Sequence, residues 1–169
     1  MSVLVFLDQA DGHIKKSSFE AASYAAKTAA LLSTTAEAIL LGTVSDDLAS
    51  LGNYGISKVH TVADASLNNL DAQVFTSIIA QAAEATGADT IVFSNNSAGK
   101  SIAARLSVRL KAGLVSGAIA LPDLSNGFVV KKTVFSGKAF ANIAITSAKK
   151  IIALNTNSFN IEMTGGVAT

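Results

Sequence analysis

Thr90-Ile-Val-Phe-Ser-Asn-Asn-Ser-Ala-Gly-Lys-Ser-Ile-Ala-Ala-Arg-Leu-Ser-Val-Arg-Leu110 decides the fold. A short apolar run, Thr90 to Ser94, passes through a polar loop into a segment with helical spacing, and Ser97 is placed to cap that helix. Ile102, Leu106 and Leu110 recur on one helical face, while Arg105 and Arg109, four apart, share the adjacent one. A strand that enters a helix in this way reads as a crossover of a parallel α/β sheet, with its functional edge at the strand's carboxyl end.

The same alternation extends upstream. Val3 to Leu7 reads as the first strand, and Asp8 to Lys16 as a loop. Ser17 with Glu20 forms a capping box for a helix to about Leu32, with alanines at 22, 25, 26, 29 and 30 as its small-residue face. Strands follow at Ala38 to Leu41 and Lys58 to Val62, separated by a short helix from Asp46 to Leu51, with Asp46 and Asp47 as capping carboxylates. Asp71 caps a longer helix to Ala85, with Val74, Ile78, Ala82 and Ala85 expected on one face and Gly87 closing it.

From Val115 the pattern changes to consecutive strands with turns at Asp123 to Gly127, Ser136 to Lys138 and Ser147 to Lys149. Ile151 to Leu154 then returns to the parallel sheet. The expected fold is a three-layer α/β domain, a mostly parallel sheet flanked by helices with an antiparallel hairpin excursion in its C-terminal third. Residues 1–155 form the domain, and 156–169 are expected as a tail or the start of an interdomain linker.

Composition excludes several function classes. The 169 residues are 50% hydrophobic and 15% charged, enough for one domain with its own core. There is no cysteine, and only His13 and His60 represent histidine, so thiolate chemistry is excluded and a zinc site has almost no ligands to draw on. The opening residues lack a basic run and a long apolar core, which predicts neither a secretion signal nor membrane insertion and points to a soluble, cytoplasmic protein. Charge is unevenly spread: residues 1–98 hold 4 Lys or Arg against 10 Asp or Glu, and residues 99–169 hold 9 against 2. Such a field steers an anionic ligand or a complementary protein surface. Nucleic acid is disfavoured, because the basic half has no run of interleaved aromatics.

Three chemistries compete. Gly99-Lys100-Ser101 matches the end of a phosphate loop, yet Ser94 stands where the first glycine belongs. Catalysis lacks a constellation: Asp8 closes the first strand, His13 reads as a solvated loop residue and His60 as a surface strand position. Recognition by Arg105 and Arg109 suits a carboxylate or phosphate partner, with a partnerless solvent-exposed face as the alternative.

Four segments, in order, resemble the N-terminal domain of electron-transfer flavoprotein alpha subunits. They are Val3 to Ala25, Thr90 to Leu110, the turn Phe135 to Ile143 and the ending Ile151 to Phe159. The helix resembles the family's GKDxxPRxAAxL through Gly99, Lys100, Arg105 and Leu110, with Ala104 where proline is usual. Ser136-Gly137-Lys138-Ala139 replaces the usual AGNA, and Asn155-Thr156 stands where an arginine and a proline are usual. These departures imply a divergent member or a rebuilt interface.

The resemblance implies an adenine nucleotide alpha hydrolase-like fold and an electron carrier, not an enzyme. It implies a heterodimer with a beta subunit, serving flavin dehydrogenases and a quinone oxidoreductase, with FAD mainly in a further C-terminal domain and no FAD ligand in this chain. Arg105, Arg109 and Lys138 are then the candidates for the subunit interface. The alternative is an adenine-nucleotide-binding module using Asp8, Gly42 and Asn95 to Gly99.

Overall fold

The computed structural model describes residues 2–169. Its core is an eight-stranded sheet. β1 (Ser2–Leu7) is followed by a two-residue hairpin, β2 (Gln9–Ala10) and β3 (His13–Ile14), and by helix α1 (Lys16–Leu31). β4 (Thr35–Leu41), β5 (Ile56–Val62), α2 (Ala72–Ala85), β6 (Ala88–Ser94) and α3 (Ser97–Leu110) complete the alternating part. β7 (Gly113–Ala118), β8 (Val129–Val134), β9 (Ala139–Ala144) and β10 (Lys150–Leu154) follow without helices.

The strand order is β5-β4-β1-β6-β10-β7-β8-β9. The first six are parallel and the last two antiparallel, the architecture expected from the sequence pattern. β1 is buried along its whole length, because alternate side chains serve opposite cores. Val3, Val5 and Leu7 meet the alanine face of α1, where Ala22, Ala25 and Ala29 are buried. Leu4 and Phe6 meet Phe75 and Ile79 of α2 and Ile102 and Leu106 of α3. That sandwich gives the three layers.

Several local expectations are corrected. The helix after β1 starts at Lys16, with Lys15 at the cap position and no side-chain capping bond. Ser17 and Glu20 form no capping box. The neighbouring Ser18 hydroxyl accepts from the Asp8 amide (2.8 Å) and donates to the Asp8 carbonyl (2.9 Å), and the Glu20 carboxylate accepts from the Asn157 amide (2.9 Å). Long-range bonds therefore set this helix end. α3 is capped by Asn96, whose Oδ1 accepts from Gly99 N at 2.8 Å, one residue before the expected Ser97. Asp71 caps α2 as expected. Its buried face is rotated by one residue, to Phe75, Thr76, Ile79, Ala80 and Ala83, leaving Val74 exposed because the larger Phe75 takes the core.

Residues 156–169 carry no regular secondary structure, yet they lie against the domain. Phe159 packs edge-on against Tyr24, Glu162 pairs with Lys27 at 2.8 Å, and the Ala168 amide donates to the Ala49 carbonyl. Thr169 bonds both Ser57 and Val59, in the manner of a parallel neighbour of β5. Here backbone passes directly over Gly52, where a β-carbon would stand 2.4 Å from Val167.

Gly99 is the tightest point of the fold. A β-carbon there would stand 1.8 Å from the Ser94 carbonyl oxygen, so glycine is what lets α3 start two residues after β6. Gly99→Ala is expected to cost about 3 kcal/mol, since backbone and not a flexible side chain must yield. Urea unfolding checks this; a loss within experimental error of zero would show that the helix start relaxes freely.

Candidate functional site at the carboxyl edge and the outer face of α3

Asp8 closes β1, and the chain leaves β1 towards β4 on one side while β6 lies on the other. This reversal opens a crevice beyond the carboxyl ends of the strands. The Asp8 side chain is only 12% exposed and is fully engaged on one oxygen. Its Oδ2 accepts from Lys15 Nζ at 2.7 Å and from Asn96 Nδ2 at 3.0 Å. Asn96 thus holds β1 with its amide nitrogen and caps α3 with its oxygen.

Two hollows lie at this edge, one of them lined by Asp8. One, about 260 Å³, has an apolar floor of Phe6, Leu41, Leu67 and Phe75 and a polar wall including Asp8 and Lys15. The other, about 350 Å³, lies between Gln9, Thr43 and Asn68, beside Gly42. Asn95 stands apart from both, donating to Asn155 Oδ1 (2.8 Å) and accepting from Ser116 (3.0 Å). It joins the ends of β6, β10 and β7.

These contacts determine what the edge can do. The β6–α3 loop is only Asn95 and Asn96, the Gly99 amide is spent on the cap, and the Lys100 amide on the Asn96 carbonyl. The amides of Ser97 and Ala98 follow a loop that lacks the glycine-rich turn by which successive amides are aimed at a phosphate. Gly99 serves close packing instead. His13 pairs with Asp46 (2.8 Å) and His60 with Glu37 (2.6 Å), on separate elements, and neither contacts a serine. Among the described residues no group of three His, Cys, Asp or Glu is placed to hold a metal. Asp47 caps the short 3-10 helix Leu48–Tyr54 as expected, whereas Asp46 turns away to His13 and the Ile14 amide.

Arg105 and Arg109 stand together on the outer face of α3, flanking Val108, which is 80% exposed. With Gln73 and Thr76 of α2 they line an open cleft of about 310 Å³. Among the described residues neither arginine has a carboxylate within ion-pair distance. Lys138 lies elsewhere, at the β8–β9 turn, with its ammonium 5.8 Å from the Phe135 ring. The structure brings the two arginines together and leaves Lys138 apart from their cleft. The Lys15 and Asn96 contacts of Asp8 escaped the sequence reading; the only signal was three polar residues flanking strand and helix ends.

The electron transfer flavoprotein domain family matches residues 3–169. The chain belongs to that family. It is 28% identical over 159 residues to an electron transfer flavoprotein subunit alpha of Bacillus subtilis, covering 92% of this chain and 48% of that protein. The corresponding subunit of Syntrophomonas wolfei is 26% identical over 142 residues, 83% of this chain and 44% of the relative. A third relative, the lactate dehydrogenase (NAD(+),ferredoxin) subunit LctC of Acetobacterium woodii, is 24% identical over 149 residues, 87% and 36%. The chain spans about half the length, or less, of these relatives. The match supports the reading of this electron transfer flavoprotein domain as the N-terminal domain of an alpha subunit.

Family membership raises the question of flavin, which the residues here do not fit. The crevice hollows are small for a dinucleotide, Asp8 places a carboxylate at the edge of one of them, and the Gly99 amide is already bonded to Asn96.

Asp46 provides a test of the local geometry. Its carboxyl is held below the usual carboxylate range, first by the His13 hydrogen bond and then by the Ile14 amide. A lowered folded value means that the carboxylate's contribution is present at neutral pH and is lost as pH falls through that value. The Ile14 amide resonance should therefore titrate below the ordinary carboxylate range and become flat in Asp46→Asn. Titration at the ordinary value in the native chain would show that these bonds do not persist in solution.

Proposed function

We propose that this domain is the N-terminal scaffold of an electron transfer flavoprotein alpha subunit. It packs against a beta subunit, and the assembled complex, with FAD held mainly outside this domain, carries electrons from flavin dehydrogenases to a quinone oxidoreductase or similar acceptor. The domain is then an electron-carrier component and not a catalyst, and it works without entering a membrane; no described helix is long and apolar enough to cross one. Residues 156–169 are read as the approach to a following domain, and the cytoplasm as its compartment.

The observation that carries this reading is the surface of α3. Two guanidinium groups without a carboxylate partner flank an exposed valine on a domain whose family matches along residues 3–169. Arginine beside an apolar side chain is a composition typical of protein interfaces, and a planar fork suits a partner's carboxylate. Lys138 remains a further interface candidate at the hairpin tip.

The second reading, an adenine-nucleotide-binding module, draws on the crevice beside Asp8. The Asp8 carboxylate weighs against it, because a nucleotide brings phosphate to that edge.

Co-expression with a beta subunit should give a complex on size exclusion, and replacing Arg105 and Arg109 together by alanine should weaken assembly about tenfold or more. Unchanged affinity would remove both from the interface. Calorimetry of this chain with AMP, ATP and FAD is expected to show no tight binding; a Kd below about 10 μM for a nucleotide would favour the module.

A further inference from the structure

The two edges of the sheet are finished differently. At the β5 edge, Thr169 bonds Ser57 and Val59, and Lys58 and His60 place charge or polarity along the strand. At the opposite edge β9 has β8 on one side and no strand on the other. Its sequence, Ala139-Phe-Ala-Asn-Ile-Ala144, holds no charge and no proline. Natural sheets protect bare edges with such residues, or cover them.

The register shows which groups are free. The Ile145 amide donates to the Phe128 carbonyl, and β8 and β9 pair Val130 with Ile143, Lys132 with Ala141 and Val134 with Ala139. Antiparallel pairs alternate between bonded and non-bonded. Ile143, Ala141 and Ala139 therefore face β8, and the amides and carbonyls of Phe140, Asn142 and Ala144 face outward. Phe140 is 62% exposed, and Phe135 at the turn 78%.

Charge identifies the occupant. Residues 129–144 contain Lys131, Lys132 and Lys138 and no carboxylate. Lys131 lies 4.4 Å over the Phe140 ring, on the same face. A second copy pairing edge to edge would bring together two hairpins that both carry Lys131 over Phe140 and no carboxylate, and their like charges repel. An incoming strand with carboxylates would be attracted, and its apolar residues would cover Phe140.

We infer that β9 is a docking edge that takes an extended, acidic segment of a partner protein as a ninth strand. Main-chain bonds to Phe140, Asn142 and Ala144 supply the affinity, and the lysines of β8 and the turn select carboxylate-bearing side chains. The inference rests on the subunit reading above only for naming the partner; the chemistry of the edge is read from the edge itself.

The test follows amide hydrogen exchange of this chain with two capped peptides, one alternating Glu and Val and one alternating Lys and Val, and with a co-expressed beta subunit. The Glu-Val peptide and the beta subunit should each slow exchange at Phe140, Asn142 and Ala144, and the Lys-Val peptide should not. Asn142→Pro removes an outward donor without touching a bond to β8, and should weaken both interactions about 100-fold, whereas Asn142→Ala, which keeps the amide, stays near native. If Asn142→Pro fails to fold, native-chain exchange alone decides.

A beta-subunit complex in which these three amides still exchange freely would overturn the edge inference and leave the subunit reading standing. Protection by the acidic peptide with no beta-subunit complex would do the reverse. A dimer of this chain alone that Asn142→Pro dissociates would overturn the acidic partner in favour of a second copy.

Discussion

The insertion of β10 between β6 and β7 is the constraint on which the rest of the structure depends. Five residues, Lys150 to Leu154, pair in parallel register with Thr90 to Ser94 on one side and with Gly113 to Ala118 on the other. Both neighbours are earlier in the chain and are joined directly by α3, so the gap between them has to be held open until β10 arrives. Everything from Ile119 to Lys149 must be led out of that gap and back. An antiparallel excursion is the shortest way to do so, because β8 and β9 can hydrogen-bond each other while extending the sheet beyond β7. The same insertion brings Asn155 beside Asn95 and starts residues 156–169 on the face of the sheet that carries α1.

This explains why the architecture was legible in the sequence and the details of its joints were not. Apolar runs of four to seven residues alternating with helical spacing report burial on both faces, and burial is set by the layer architecture as a whole. Helix starts depend on which side chain is free to cap. Asp71 is exposed beside α2, has no competing partner and caps as its sequence position suggests. Ser17 falls inside the helix that Lys16 begins, while Ser18 is claimed by Asp8 and Glu20 by Asn157, contacts spanning 10 and 137 residues that no local pattern records. Val74 and Phe75 could each lead the apolar face of α2, and ring contact between Phe75 and Phe6, 6.1 Å between centroids, decides the rotation. At the candidate site Asp8 could be found as a strand end, and Arg105 with Arg109 by helical spacing. Lys15 and Asn96 became part of the Asp8 cluster only through folding.

The order of strands also converts a feature of the sequence into a feature of the surface. β5, β4 and β1, all drawn from the acidic part of the chain, lie on one side of β6. β10, β7, β8 and β9, drawn from the basic part, lie on the other. A domain close to neutral overall thus has opposite charge at its two ends. The field at long range is that of a dipole, which orients a charged partner before contact and falls off with salt.

Orientation alone does not make an interface, since exposed charges are worth little once solvated. The basic end combines charge with groups that water satisfies less economically than a partner would. Phe135 and Phe140 are exposed there, and β9 presents unpaired main-chain groups along its outer side. At the acidic end exposed apolar side chains such as Leu31, Val62 and Val167 are present too, but the main chain of β5 is bonded in part by Thr169 and the histidines are matched to carboxylates. At the hairpin, long-range steering and short-range burial therefore coincide. On the subunit reading proposed above, a partner would be met at the hairpin and at α3 rather than at the crevice beside Asp8.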